Sequence, residues 1–130
     1  MAALSPSFIE RMIPVGGDWK SSDWMIANTF IQSKILNSDS KPLQTARMHA
    51  MMCYRTPESF KLRFNRTKNK ELGMYNVESW LLYHGEKLNE RFELQAYKTM
   101  NHLLGSIDIT RNGKSFEENI QGIASEIHIV

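Results

Sequence analysis

The seven residues SFKLRFN, 59–65, alternate without interruption: Phe60, Leu62 and Phe64 are apolar, while Lys61, Arg63 and Asn65 are polar. A period of two predicts a strand with one buried and one solvated face. A strand needs partners, so the pattern commits the chain to containing a sheet. If the same residues are instead the edge of a helix, the alternative is a mostly α bundle.

The alternation coincides with a concentration of charge. From Arg55 to Lys70, six cations (Arg55, Lys61, Arg63, Arg66, Lys68 and Lys70) face one acid, Glu58, a local balance of +5 in a chain whose net charge is +2. The remainder is therefore net acidic. RTKNK, 66–70, carries the positive charge into an expected loop with no apolar anchor. From Glu71 to Glu93 the sign reverses, with five acids against Lys87 and Arg91.

Helical signals surround this stretch. Pro6 suits the first turn of a short helix, SFIERMI, before Pro14 and Gly16-Gly17 end it. Ser21-Ser22 are expected to cap DWMIANTFIQSKIL, whose residues Ala27, Phe30, Ile31 and Ile35 follow helical spacing. Residues 37–40 break that helix, and Pro42 opens an antiparallel neighbour, PLQTARMHAMMCYR, which Pro57 ends. Asn76 is expected to cap NVESWLLYHG, with Gly85 as terminator. Residues 88–104 are read as a helix, since Leu88, Phe92, Ala96 and Met100 recur every four, although RFELQAY also alternates. SIDIT reads as a strand, Arg111-Asn112-Gly113 as a turn, and Ser115 with Glu118 as a capping box opening a helix whose face is Phe116, Ile120, Ile123, Ala124 and Ile127. A last strand is expected at HIV, 128–130. Together these predict an α+β fold: a single compact domain over 1–130, with about five helices packed on a small antiparallel sheet.

The 130 residues suffice for a core without a metal or disulfide staple. Cys53 is the single cysteine, which excludes an intrachain disulfide and favours a reducing, intracellular home, cytoplasmic or nuclear. The N-terminus lacks the layout of a secretory signal, and no apolar run is long enough to span a bilayer. Eight methionines supply an adaptable core or contact surface.

Catalytic constellations are weak. His49 and Cys53 sit four apart, the spacing of a thiol and its base, but among Met48, Met51 and Met52 a buried cysteine is the plainer reading. The four histidines are too dispersed for a metal site, so neither metal nor cofactor is expected. Glu90/Glu93 and Glu117/Glu118 fit a solvated face and a helix start. The expectation is therefore a non-catalytic binding protein, not an enzyme. Its Arg55, Lys61, Arg63, Arg66, Lys68 and Lys70, with Tyr54 for stacking, would engage the backbone of RNA or single-stranded DNA. The alternative is a self-assembling or protein-interaction protein, such as an adaptor, an inhibitor or a small viral matrix-like protein, that forms homo-oligomers or captures a partner through the basic 55–70 and acidic 71–93 segments. Contact with an anionic membrane surface also fits the basic segment. Trp19, Trp24 and Trp80 are the candidate interface aromatics.

Overall fold

Five of the six helices among the described residues begin at a capping group or a proline. In the computed structural model, which describes residues 1–15, 17–38 and 40–129, the Ser22 hydroxyl accepts from the Met25 amide at 3.3 Å and opens α1, Asp23–Ser38. Pro42 starts α2, Pro42–Cys53. Thr56 accepts from the Ser59 amide at 3.2 Å, and Pro57 begins α3, Pro57–Phe64. Glu78 accepts from the Tyr75 amide at 2.6 Å at the start of α4, Asn76–Asn89. Helix α5 is Leu94–Gly105. Ser115 and Glu118 form their reciprocal capping box, at 3.1 and 2.7 Å, at the head of α6, Phe116–Gln121. Gly16, Asp39 and Val130, expected at the end of the first helix, in an interhelical break and in a terminal strand, lie outside the described residues.

Strand content is small. β1, Arg11–Met12, pairs in parallel with β4, Glu126–Ile127, and β2, Lys68–Asn69, pairs antiparallel with β3, Met74–Tyr75. The chain is an α+β fold, with six helices among the described residues and two separate strand pairs in place of one antiparallel sheet.

Several local expectations are corrected. SFKLRFN is helix α3, because Phe60 and Phe64 satisfy a four-residue period as well as a two-residue one, and Thr56-Pro57 supplies a helix start that alternation alone does not weigh. Leu62, on the other side, is 86% exposed. The first ten residues form turns, not a helix, and lead into β1. SIDIT makes one isolated bridge, Lys20 to Asp108. Helix α6 stops at Gly122 because the chain must straighten to pair at β4. Consequently Ile120, Ala124 and Ile127 are exposed, and Asn119, at 2% exposure, is the buried residue of α6. Gly85 does not end α4, which runs four residues further.

Contacts group the residues into two compact units: Met1–Ile26 with Leu104–Val130, and Ala27–Leu103. In the first, Trp19 packs on Phe116 at 4.8 Å, Lys20 pairs with Asp108 at 3.3 Å, and the Ser125 hydroxyl donates to the Ile9 carbonyl. In the second, Leu36, Leu43 and Ala46 form the core, with Ile35, Leu94 and Tyr97 packed against it. Helix α1 reverses the expected amphipathicity: Thr29 and Gln32 are buried with Leu36, while Phe30 and Ile31 face outward. Inside, Gln32 Nε2 donates to the Ala46 carbonyl at 3.0 Å and meets His49 Nδ1 at 2.9 Å, while its Oε1 finds no partner among the described residues.

Helices α2 and α4 touch through Gly85. A Cβ there would lie 2.6 Å from Gln44 Cγ and 2.9 Å from the Gln44 carbonyl oxygen. The backbone oxygen cannot move aside as a side-chain tip can. Gly85→Ala should therefore cost roughly 1–3 kcal/mol by overpacking, outweighing the gain of at most about 1 kcal/mol in helix propensity. Urea denaturation checks this: a variant as stable as wild type would show that the α2–α4 spacing is not fixed at Gly85.

Candidate functional site

The basic stretch does not form one surface. Folding of 57–64 as a helix distributes its cations over two places. Arg55, in the α2–α3 connection, lies with its guanidinium carbon 5.6 Å from the Trp80 ring centroid, and Arg63 of α3 lies 5.3 Å from the same ring and 5.5 Å from Phe64. Arg66 and Lys68 instead meet Tyr75 at the β2–β3 hairpin, at 5.8 and 5.4 Å, with Arg66 also 3.4 Å from the Tyr75 hydroxyl. Lys61 and Lys70 are exposed.

Trp80 organises the first of these places. Its ring meets Phe60 edge-on at 5.9 Å, Phe64 at 5.4 Å and His84, one turn along α4, at 4.7 Å. Tyr83 abuts the other side of His84 at 5.3 Å. On α2, Arg47 lies 5.7 Å from the ring of Tyr54. The three guanidiniums converge electrostatically on His84: desolvation, then the charges of Arg47, Arg63 and Arg55, lower its pKa below the ordinary histidine value. Burial, reinforced by Tyr54, raises the pKa of the Tyr97 hydroxyl, and Arg47 opposes that shift. Among the described residues, none of the three arginines forms an ion pair with a carboxylate. Three planar donors on an aromatic floor, with a histidine held toward its neutral form, suit an anion with two coplanar oxygens, such as a carboxylate.

The sequence had pointed to Arg55, Arg63, Tyr54 and Trp80 but missed Arg47, His84 and Tyr97. Two signals were available: Arg47 and Tyr54 are seven apart on one helix face, and Trp80 and His84 are four apart on another. Of the other tryptophans, Trp19 stacks on Phe116 and Trp24 stands 72% exposed on α1. His49 and Cys53 do not form a dyad, since Gln32 engages His49 while Asn28 Nδ2 lies 3.4 Å from the Cys53 sulfur. Glu90 is paired with Lys87 at 3.0 Å, and Glu118 is consumed by its cap. No group of three or more metal-ligating side chains occurs among the described residues. No helix of the described chain is long and apolar enough to cross a membrane.

No protein-family model matches the chain. Its sequence is 34% identical to a homoserine O-acetyltransferase of Chloroherpeton thalassium, over 93% of this chain and 35% of that protein. It is 28% identical to a homoserine O-acetyltransferase of Chlorobaculum tepidum, over 98% of this chain and 40% of that one. The chain thus spans little more than a third of the curated relatives that it matches. Among solved structures, a homoserine O-acetyltransferase from Staphylococcus aureus superposes with a TM-score of 0.64 at 20% identity, over 92% of this chain and 35% of that one, which establishes a shared fold. These likenesses overturn the expectation of a non-catalytic protein that binds RNA or single-stranded DNA, together with its alternatives of a viral or self-assembling structural protein, a captured protein partner or a membrane surface: the proteins it resembles are enzymes. The physical reason is that the +5 segment, continuous in sequence, is divided in space, and two of its six cations, Arg55 and Arg63, face an aromatic cluster.

The His84 shift fixes the sign of a pH effect. Because the folded pKa lies below the unfolded one, the unfolded chain takes up this proton first as pH falls, so stability is lost from just above the ordinary histidine pKa down to the folded value and then levels off. Urea midpoints at about pH 7.5 and about pH 5.5 should therefore fall further for wild type than for His84→Gln. Equal losses would show that His84 is not desolvated by its neighbours.

Proposed function

We propose that this chain forms the part of an acyl-transfer enzyme that receives the carboxylate of homoserine. The observation that carries the reading is the likeness to homoserine O-acetyltransferases across nearly the whole of this chain, and the Arg47, Arg55, Arg63 and Trp80 cluster supplies chemistry to match. Acetylation of homoserine forms an ester at its side-chain oxygen as the bond between the acetyl group and its activated donor breaks, and the hydroxyl proton ends on the donor's leaving group. The α-carboxylate does not react. It is a handle, and gripping it fixes where the hydroxyl lies, which turns binding energy into orientation. Arginine suits that task because its fork meets both carboxylate oxygens at once. An intracellular setting accords with this reading, and Cys53 stands as an exposed free thiol. Arg66, Lys68 and Tyr75 form a separate cationic place to which this reading gives no part, and the same holds for Lys61, Lys70, Trp19 and Trp24.

Calorimetric titration of the 130-residue chain with L-homoserine tests the reading. A charged hydrogen-bonded contact contributes about 1.5–3 kcal/mol, so Arg55→Ala and Arg63→Ala should each weaken binding by roughly 10- to 100-fold. Homoserine lactone, which lacks a free carboxylate, should bind far more weakly than homoserine. Equal affinity for the two compounds, or affinity unchanged in both variants, would overturn the assignment.

A further inference from the structure

Three like charges near one imidazole need something that holds them there. Guanidiniums repel one another, and each long side chain gives up rotamer freedom when fixed. Among the described residues no carboxylate ion-pairs with them. Arg47 lies over Tyr54, whereas the other two share an indole. Arg55 and Arg63 come from different elements, the α2–α3 connection and α3, yet both lie within cation–π distance of Trp80 on α4, at 5.6 and 5.3 Å. The electron-rich ring face attracts cations, and the indole does so more strongly than the other aromatic side chains.

We propose that Trp80 is the positioning residue of this site, its indole holding the Arg55 and Arg63 guanidiniums in place to grip one carboxylate. The inference rests on the homoserine reading above. The ring itself is well held: Phe60 and Phe64, one turn apart on α3, and His84 on α4 contact it at 5.9, 5.4 and 4.7 Å. The two arginines depend on it unequally. Arg63 also leans on Phe64 at 5.5 Å, whereas among the described residues Arg55 otherwise has only a marginal 3.5 Å hydrogen bond to the Ser59 hydroxyl. Loss of the indole therefore frees Arg55 first. A carboxylate would then meet one ordered guanidinium and one that must be ordered at the moment of binding. His84, kept toward its neutral form, adds no further repulsion beside the ring at neutral pH.

The test combines the L-homoserine titration with substitutions at Trp80. Trp80→Leu should weaken binding about tenfold, while Trp80→Phe, which keeps an aromatic face, should stay within about threefold of wild type. The double variant Trp80→Leu with Arg55→Ala should bind only slightly more weakly than Arg55→Ala alone, because the ring acts mainly through that arginine while Arg63 keeps its contact with Phe64. In parallel, the Nε–H resonance of Arg55 should lose its ring-current shift in Trp80→Leu and retain most of it in Trp80→Phe. Circular dichroism melts show whether the leucine variant folds; if it does not, the phenylalanine variant and the arginine resonances of wild type still decide. Unchanged affinity in folded Trp80→Leu, additive losses in the double variant, or an Arg55 signal without a ring-current shift in wild type would overturn the role of Trp80 while leaving the homoserine reading standing. Failure of wild type to bind L-homoserine at all would overturn that reading and the clamp with it.

Discussion

Everything in the second unit depends on how closely α2 and α4 approach. Gly85 on α4 sits against Gln44 of α2, and the Cβ that it lacks is the side-chain bulk that would hold the two helices at ordinary distance. Gly85 follows His84 directly and lies one turn and a residue beyond Trp80. The contact that closes the core is thus also the one that brings the α4 aromatics toward the Arg47 face of α2. A wider spacing would dilute the field of Arg47 at His84. Packing and electrostatics are set by one missing Cβ.

The cluster at Trp80 shows why a count of charges along a chain misleads about function. Arg55, Arg63, Arg66 and Lys68 look like one cationic ribbon when written in a line. Helix α3 and the left-handed backbone at Asn65 and Arg66, with φ of 40° and 55°, turn the chain so that the first two arginines meet an indole and the next two cations meet Tyr75. A polyanion needs a continuous track of charge. A small carboxylate needs two or three donors pointing at one spot, and the aromatic ring provides a reason for them to point there.

What the residues reveal in sequence, and what they conceal, follows from the range of the interactions involved. Caps are local, and Ser22 and the Ser115–Glu118 box can be read directly, as can the start at Pro42, whereas Pro57 reads first as the end of the helix before it. The turn at Gly113 is likewise local, since its φ of 82° suits glycine. Phe60, Leu62 and Phe64 mislead because three apolar residues at spacing two contain a pair at spacing four, and only the preceding Thr-Pro decides between strand and helix. Helix α6 misleads differently: its apolar face continues past Gly122 in sequence, but pairing with Arg11 and Met12 claims residues 126 and 127 for β4. The inward Gln32 could not be foreseen, because its partners, the Ala46 carbonyl and His49, belong to another helix. For the site, Arg55, Arg63 and Trp80 were visible as residue types, and their convergence was not.

The parallel pairing of β1 with β4 also constrains the order in which the molecule can assemble. Ser125 and Ile9, which share a hydrogen bond beside these strands, are 116 residues apart, so the first unit is made of two segments with the whole of the second unit between them. On a ribosome, residues 27–103 emerge with their own core complete, whereas the N-terminal segment must wait unpaired until almost the last residue of this chain has been made. Closure of so long a loop is slow relative to the local helix contacts. During that interval the exposed Phe8 and Ile13 have no strand partner beside them, which makes the nascent 1–15 segment, more than the completed fold, a place where chaperone capture or misassembly would begin.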